Sequence, residues 1–366
     1  MNFLKAFTLC VLCLVIAAAA MAQNDGQEVR PSSVVPRPSD SAVIVVVGAT
    51  GETEFGRQFA LWADLWRQAC DKGGVRCAVI GLDPNNGRTD RDRLKELLMQ
   101  QAGADEERGT TDQLHGQDAR ATQGRDALAT GDRRAGALWL VLIGHGTFDG
   151  RTAKFNLRGP DISAEELGRW LEPMERPVAV INTASSSAPF LTKLSGPNRV
   201  VITATKSGFE QNYARFGQYL AESIANSEAD LDKDGQTSLL EAFLMAASRT
   251  AEFYAGAGRM ATEHPLLDDN GDALGTRADW FRGIRPVVKA ADGASLDGYR
   301  AHQFHIVRSA AEAAMTTEQR TRRDQLELEV MKLRDAKEAI AEPVYLNRLE
   351  VLLREIAELY ESDPNG

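Results

Sequence analysis

A histidine that follows directly on an apolar run, and is itself followed by glycine, stands where chemistry can be done. In "LWLVLIGHG" these residues are His145 and Gly146. The imidazole moves protons near neutral pH, and a glycine lets its backbone N–H approach a substrate carbonyl as half of an oxyanion hole. A second apolar run, "VAVIN", leads into Asn182-Thr183-Ala184-Ser185, and Ala184 lies 39 residues after His145. A nucleophile at that turn would complete a dyad with the histidine. The remaining histidines, His115, His264, His302 and His305, lack such a setting and are expected to be structural.

The segment "DLDKDGQTSLLE" carries a different chemistry. Asp230, Asp232 and Asp234 occupy positions one, three and five of a twelve-residue frame, Gly235 position six and Glu241 position twelve. That is the EF-hand pattern, which suits calcium because the ion takes six to eight oxygens and the glycine allows the sharp turn. Gln236 would add its backbone carbonyl and Ser238 a ligand directly or through water. Thr237 departs from the aliphatic residue usual at position eight. "LLDDNGDALG" offers a weaker second candidate in Asp268, Asn270 and Asp272, because it lacks glycine at the sixth position.

Both sites need a scaffold. Apolar runs recur at 42–47, 77–82, 138–143, 178–182, 199–205 and 302–307, mostly continuous, as strands covered on both faces require. Amphipathic helical patterns lie between them, including "ISAEELGRWLEPM", where Ser163 and Glu166 form a capping box. The expected class is α/β, with a mostly parallel six-stranded sheet and helices on both faces. Ligands of such sheets bind outside the carboxyl ends of the strands, which is where His145 and Ser185 fall. Residues 103–135 read as a mobile surface loop. At the far end, Leu326, Val330, Leu333 and Ile340 precede Pro343, and Leu346, Leu349, Leu353, Ile356 and Tyr360 keep a 3-4-3-4 rhythm. A C-terminal α-helical hairpin or coiled coil over 310–366 is predicted, either packed on the parent domain or serving oligomerisation or partner docking.

The two strand ends together resemble those of caspase- and legumain-type cysteine peptidases, whose histidine-to-cysteine separation is about 50 residues in caspases. "VVVGATGETEFGRQ" is similar to the first strand and turn of legumains, and "ASSSAPF" to the residues that follow their cysteine, so the resemblance spans roughly residues 42–285. It implies a caspase-like fold and a thiolate attacking a peptide carbonyl, with histidine delivering a proton to the leaving amine. In one alignment Ala184 replaces the cysteine and the chain is a pseudoenzyme that holds a peptide or protein partner. In the other Ser185 replaces it, and a hydrolase would require His145 to be strongly oriented. Thr50 stands where legumains carry Asn and Gly56 where they carry Arg, with Arg57 displaced by one, so their acidic-side-chain pocket is not expected. The turn "GATG" does not suit a dinucleotide, because the third glycine of that fingerprint falls at Glu54, whose carboxylate would repel phosphate.

The rest of the composition sets the surroundings. "MNFLK", an apolar run to Ala20 and the sequence Ala20-Met21-Ala22 predict a signal peptide over 1–22, followed by a Pro/Ser-rich linker over 23–40. A periplasmic or secreted product without a transmembrane segment is therefore expected. Net charge is −10, which disfavours nucleic acid as a partner. Two cysteines lie beyond the leader, Cys70 and Cys77, and in an oxidising compartment they are expected to pair across "DKGGVR".

Overall fold

A computed structural model describes residues 41–84, 87–115 and 136–361, so the expected leader and linker lie outside the described residues. The described residues open with β1 (Ala42–Val47), α1 (Thr53–Gly73), β2 (Arg76–Ile80) and α2 (Asp90–His115). Next come β3 (Leu138–Ile143), the small strands β4 (Gly146–Phe148), β5 (Ala153–Phe155) and β6 (Ile162–Ser163), and α3 (Ala164–Leu171). They are followed by β7 (Val178–Asn182), α4 (Ala188–Leu194), β8 (Arg199–Thr203), α5 (Phe216–Ser223) and α6 (Leu239–Gly256). The last part holds β9 (Leu266–Asp268), β10 (Thr276–Arg277), β11 (Phe281–Arg282), β12 (Arg285–Pro286), α7 (Ala310–Ala314), α8 (Thr317–Asp335) and α9 (Glu342–Glu361).

The α/β class and mostly parallel sheet are as expected. The main sheet has the order β10-β9-β8-β7-β3-β1-β2, with β2, β1, β3, β7 and β8 parallel and β9 and β10 antiparallel at one edge. Side-chain alternation divides each apolar run between two cores. Val43, Val45, Trp139, Val141, Ala179 and Ile181 pack with Phe59, Trp66, Phe216 and Phe243 from α1, α5 and α6. Ile44, Val46, Leu140, Leu142, Val178 and Val180 pack with Leu94, Leu167 and Phe190 from α2, α3 and α4.

Three expectations about elements are corrected. The sheet has seven strands rather than six, because β9 and β10 are only three and two residues long and leave no periodic signal. "HQFHIV" is not a strand: Ala301–Gln303 form a 3-10 turn, and a single bridge joins His305 to Ser238. Its alternation mimics a strand because Phe304 and Ile306 turn inward, while the N–H groups of His302 and Gln303 are used by the local turn. The loop expected from residue 103 is helical as far as His115, since α2, once nucleated, extends cheaply through "ADEER". Residues 116–135 lie outside the described residues.

Ser163 does cap α3, accepting from Glu166 N–H at 3.2 Å, but the box is half-made because the Glu166 carboxylate pairs with Arg91. Cys70 and Cys77 are both free, not joined as expected, although their thiols are in hydrogen-bonding contact, which pushes Cys70 up. At the C-terminus α8 and α9 pack together, with Leu326, Leu333 and Tyr345 buried and Arg322 paired to Glu355. Pro343 sits in the first turn of α9, where its missing N–H costs nothing. The 3-4-3-4 stripe is not the buried seam, since Leu346, Leu353 and Tyr360 are exposed. Among the described residues no helix is long and apolar enough to cross a membrane.

Leu140→Ala, at a fully buried position of β3, is expected to lower unfolding free energy by about 2–5 kcal/mol in urea titration.

Candidate functional site at the strand ends and the acidic loops

The parallel register of β3 and β7 aligns Leu142 with Asn182, and Thr183 N–H continues the ladder by donating to Leu142 C=O at 3.0 Å. Three residues beyond that pair stand His145 and Ser185. The Ser185 hydroxyl bonds the backbone of Gly146 on both sides, donating to its C=O at 3.2 Å and accepting from its N–H at 3.3 Å. A Cβ on Gly146 would stand 2.2 Å from the Ser185 carbonyl oxygen, so no side chain fits there. Ser185 is only 4% exposed.

The His145 ring lies among aromatic rings. Phe55 and Phe59 meet it edge-on with centroids 5.0 and 5.2 Å away, and Tyr213 stands at 6.3 Å. Tyr213 in turn donates to Gln58 Oε1 at 2.5 Å, and burial raises its phenol well above the usual range. Among the described residues no hydrogen bond joins the His145 ring to Ser185. Ala184 belongs elsewhere: it is fully buried in the core formed with α2, α3 and α4, across the sheet from His145 and its partners Phe55, Phe59 and Tyr213. The geometry thus brings together His145, Gly146 and Ser185 and leaves Ala184 on the other face.

The next two serines were not singled out by their sequence. Ser186 has φ of 56°, a left-handed conformation rare for a residue with a Cβ, and its buried hydroxyl has no hydrogen-bond partner. Ser187 accepts from Ala204 N–H at 3.1 Å and Thr205 N–H at 3.3 Å, tying the turn after β7 to the end of β8. A run of three serines gives no sign of which one is strained. The loop after β8 adds Phe209, which is 73% exposed and packs edge-on to Phe148 with centroids 5.2 Å apart. His264 bonds Glu210 at 2.5 Å and holds the same loop.

The acidic loop Asp230–Glu241 folds on itself. Asp230 Oδ1 accepts from Lys233 N–H at 2.7 Å and its Oδ2 from Gly235 N–H at 3.2 Å, with φ of 65° at Lys233 and 88° at Gly235. Glu241 is 1% exposed; its Oε1 accepts from Leu231 N–H at 2.7 Å and its Oε2 from Ser238 N–H at 2.8 Å. Ser238 and Glu241 together cap α6, which uses the Ser238 hydroxyl locally. Single oxygens of Asp230, Asp232 and Asp234 lie within 4.8 Å of one another, the spacing of ligands around one ion. Burial raises Asp234. Burial is the largest single influence on Asp232 and works to raise it, but the hydrogen bond and charge of His302, with the Asp234 N–H and the His305 charge, together outweigh it, and Asp232 is lowered. His302 Nε2 meets Asp232 Oδ2 at 3.0 Å, a partner to this loop that sequence gave no means of assigning across 70 residues.

No family model matches the chain, and no curated protein matches it in sequence. Among solved structures it is similar to caspase-1 from Spodoptera frugiperda, with a TM-score of 0.37, 10% identity, and coverage of 68% of this chain and 92% of that one. It is also similar to the Drosophila initiator caspase Dronc, with a TM-score of 0.35, 12% identity, and coverage of 67% and 91%. This is a distant structural similarity to caspases, and it carries no residue roles.

Proposed function

We propose that the chain is an exported, peptidase-fold module of the caspase and legumain type that holds a peptide or protein segment at its strand ends without cutting it. The observation that carries this reading is the double hydrogen bond between the Ser185 hydroxyl and the Gly146 backbone. It occupies the N–H that would serve an oxyanion, and it points the hydroxyl at backbone rather than at His145. An oxyanion hole works by donors aimed in advance at the developing charge, so a donor already bonded within the protein contributes little. Exposed Phe209 beside Phe148 supplies an apolar anchor for a bound segment at the same edge of the sheet. The register of β3 and β7 favours Ser185 over Ala184 as the former nucleophile position, which keeps a Ser185–His145 hydrolase as the competing reading.

The acidic loop is proposed to hold calcium through Asp230, Asp232, Asp234, the Gln236 carbonyl and Glu241. Its support is the convergence of three carboxylates and the two left-handed residues that wrap them. Leu346 and Leu353, exposed on α9, support assembly through the C-terminal helices.

Three outcomes are expected. Purified protein takes up no fluorophosphonate and cleaves no member of a broad peptide library; labelling or cleavage abolished by both Ser185→Ala and His145→Ala would establish the hydrolase instead. An Ala184→Cys thiol stays unreactive to iodoacetamide in the native state and costs about 1–3 kcal/mol by overpacking. Calcium added to chelator-treated protein raises its melting temperature, by the equivalent of about 2.7 kcal/mol per site at a hundredfold excess over Kd. Identical melting with calcium and with chelator would remove the metal from the account.

A further inference from the structure

The segment after β8 contains a second loop built like the first. Asp268, Asn270 and Asp272 stand at positions one, three and five. Asp268 Oδ1 accepts from Gly271 N–H at 3.0 Å, Asn270 Oδ1 from Asp272 N–H at 2.8 Å, and Asp272 Oδ1 from Leu274 N–H at 2.8 Å. In the Asp230 loop the same three positions receive the same three N–H groups, at 2.7, 3.3 and 3.0 Å. Positions four and six are left-handed in both, Lys233 and Gly235 in one, Gly271 and Ala273 in the other. Ala273 therefore adopts, at φ of 63°, the conformation for which glycine is usual, and the missing glycine is no obstacle to the loop's shape.

The acid at position twelve of this frame, Asp279, is exposed and paired with Arg277. Asp297 takes the place instead. Its Oδ1 accepts from Asp269 and Asn270 N–H at 3.0 and 3.2 Å, and its Oδ2 from the Thr276 hydroxyl at 2.5 Å. Glu241 makes the same set with its own loop: the N–H groups of positions two and three on one oxygen, the hydroxyl of position nine on the other.

Loop shape alone does not make a site; the chemistry of Asp268 does. Its Oδ2 is buried in a side chain only 1% exposed and has no hydrogen-bond partner. Ser195 is near enough to ease the charge without bonding that oxygen; its own hydroxyl accepts from Ala273 N–H at 3.0 Å. Asp269 and Asp297 are also buried, at 2% and 1% exposure, and among the described residues no Lys, Arg or His pairs with Asp268, Asp269, Asp272 or Asp297. Buried carboxylates without a positive partner carry a large desolvation cost. Burial raises Asp268 and Asp269 and pushes Asp297 up to about 8, with the Asp269 charge adding to the last.

We propose that Asp268, Asn270, Asp272 and Asp297 form a second calcium site, with Asp297 supplying from a distant segment the acid that an EF-hand carries at position twelve. The donors are all oxygens, the set a hard cation takes, and the Leu274 carbonyl stands at position seven. An ion there would tie the β9–β10 turn to the segment around Asp297.

Calcium bound per chain, measured by equilibrium dialysis of chelator-treated full-length protein, tests this directly. The wild type is expected to bind two ions, Glu241→Gln one, and the double variant Asp268→Asn/Asp297→Asn one. Asn270→Ala, at a partly exposed position, is expected to weaken the second site by at least tenfold with a native circular dichroism spectrum, and it stands in if the double variant does not fold. Two ions in the wild type with neither weakened by Asn270→Ala would overturn the inference. A single ion lost in Glu241→Gln and retained in Asn270→Ala would overturn it while sparing the first loop. A single ion with the opposite response would keep it and remove the first loop.

Discussion

Ser185 and Gly146 meet so closely that each dictates the other. The hydroxyl satisfies both backbone groups of Gly146, and the Ser185 carbonyl lies where any Cβ on residue 146 would have to go. This contact extends the β3–β7 ladder past the last paired residues and sets where His145 stands. The ladder itself rests on two apolar runs whose alternate residues enter two separate cores, so a slip of one residue would reverse both faces at once. Such a slip would bring Ala184 to the His145 face and send Ser185 into the core. The register of two buried strands thus sends Ala184 into the core and leaves Ser185 bonded to the backbone of Gly146.

The same contact bears on chemistry. A serine activated for attack keeps its hydroxyl free to donate to a base, and a working oxyanion hole keeps its N–H free for the developing charge. Here one short side chain holds both groups in a closed pair with backbone. Around it, Phe55, Phe59 and Tyr213 surround the imidazole with rings instead of the carboxylate that orients the histidine of a serine hydrolase. In the loop after β8, Phe209 presents a further aromatic ring to solvent.

The buried parallel strands were legible because continuous apolar runs of five or six residues have few other uses, and β1, β3, β7 and β8 fall on such runs. The antiparallel edge was not legible, since strands as short as Leu266–Asp268 and Thr276–Arg277 are held by the sheet they join and not by their own pattern. "HQFHIV" deceived in the opposite way: two inward apolar residues give it a period of two, but its backbone closes a 3-10 turn. His145, Gly146 and Ser185 could be found as residues, but their separation from Ala184 required the register. The Asp230 loop was legible because its donors fall in one contiguous frame. The Asp268 loop was legible only in its three spaced donors, because its closing acid, Asp297, lies outside any frame a motif can describe, and because Ala273 adopts a backbone conformation that its side chain does not advertise.

Asp297 and His302 belong to one short stretch of chain, and each reaches a different acidic loop. Between them, Gly298 and Ala301 donate backbone N–H groups to Asp269, each at 2.8 Å. Residues 297–302 are therefore held at one end by the loop that follows β9 and at the other by the loop that precedes α6. Phe304, immediately beyond, packs edge-on to Trp139 of β3, with centroids 5.4 Å apart. That ring contact leads directly into β3, which is buried throughout and ends at Ile143, two residues before His145. Such continuity is a physical route, and coupling along it requires that the stretch have two arrangements that the loops favour unequally. Residues 297–306 are bonded to acids of both loops and bridge, through His305, to Ser238 at the start of α6.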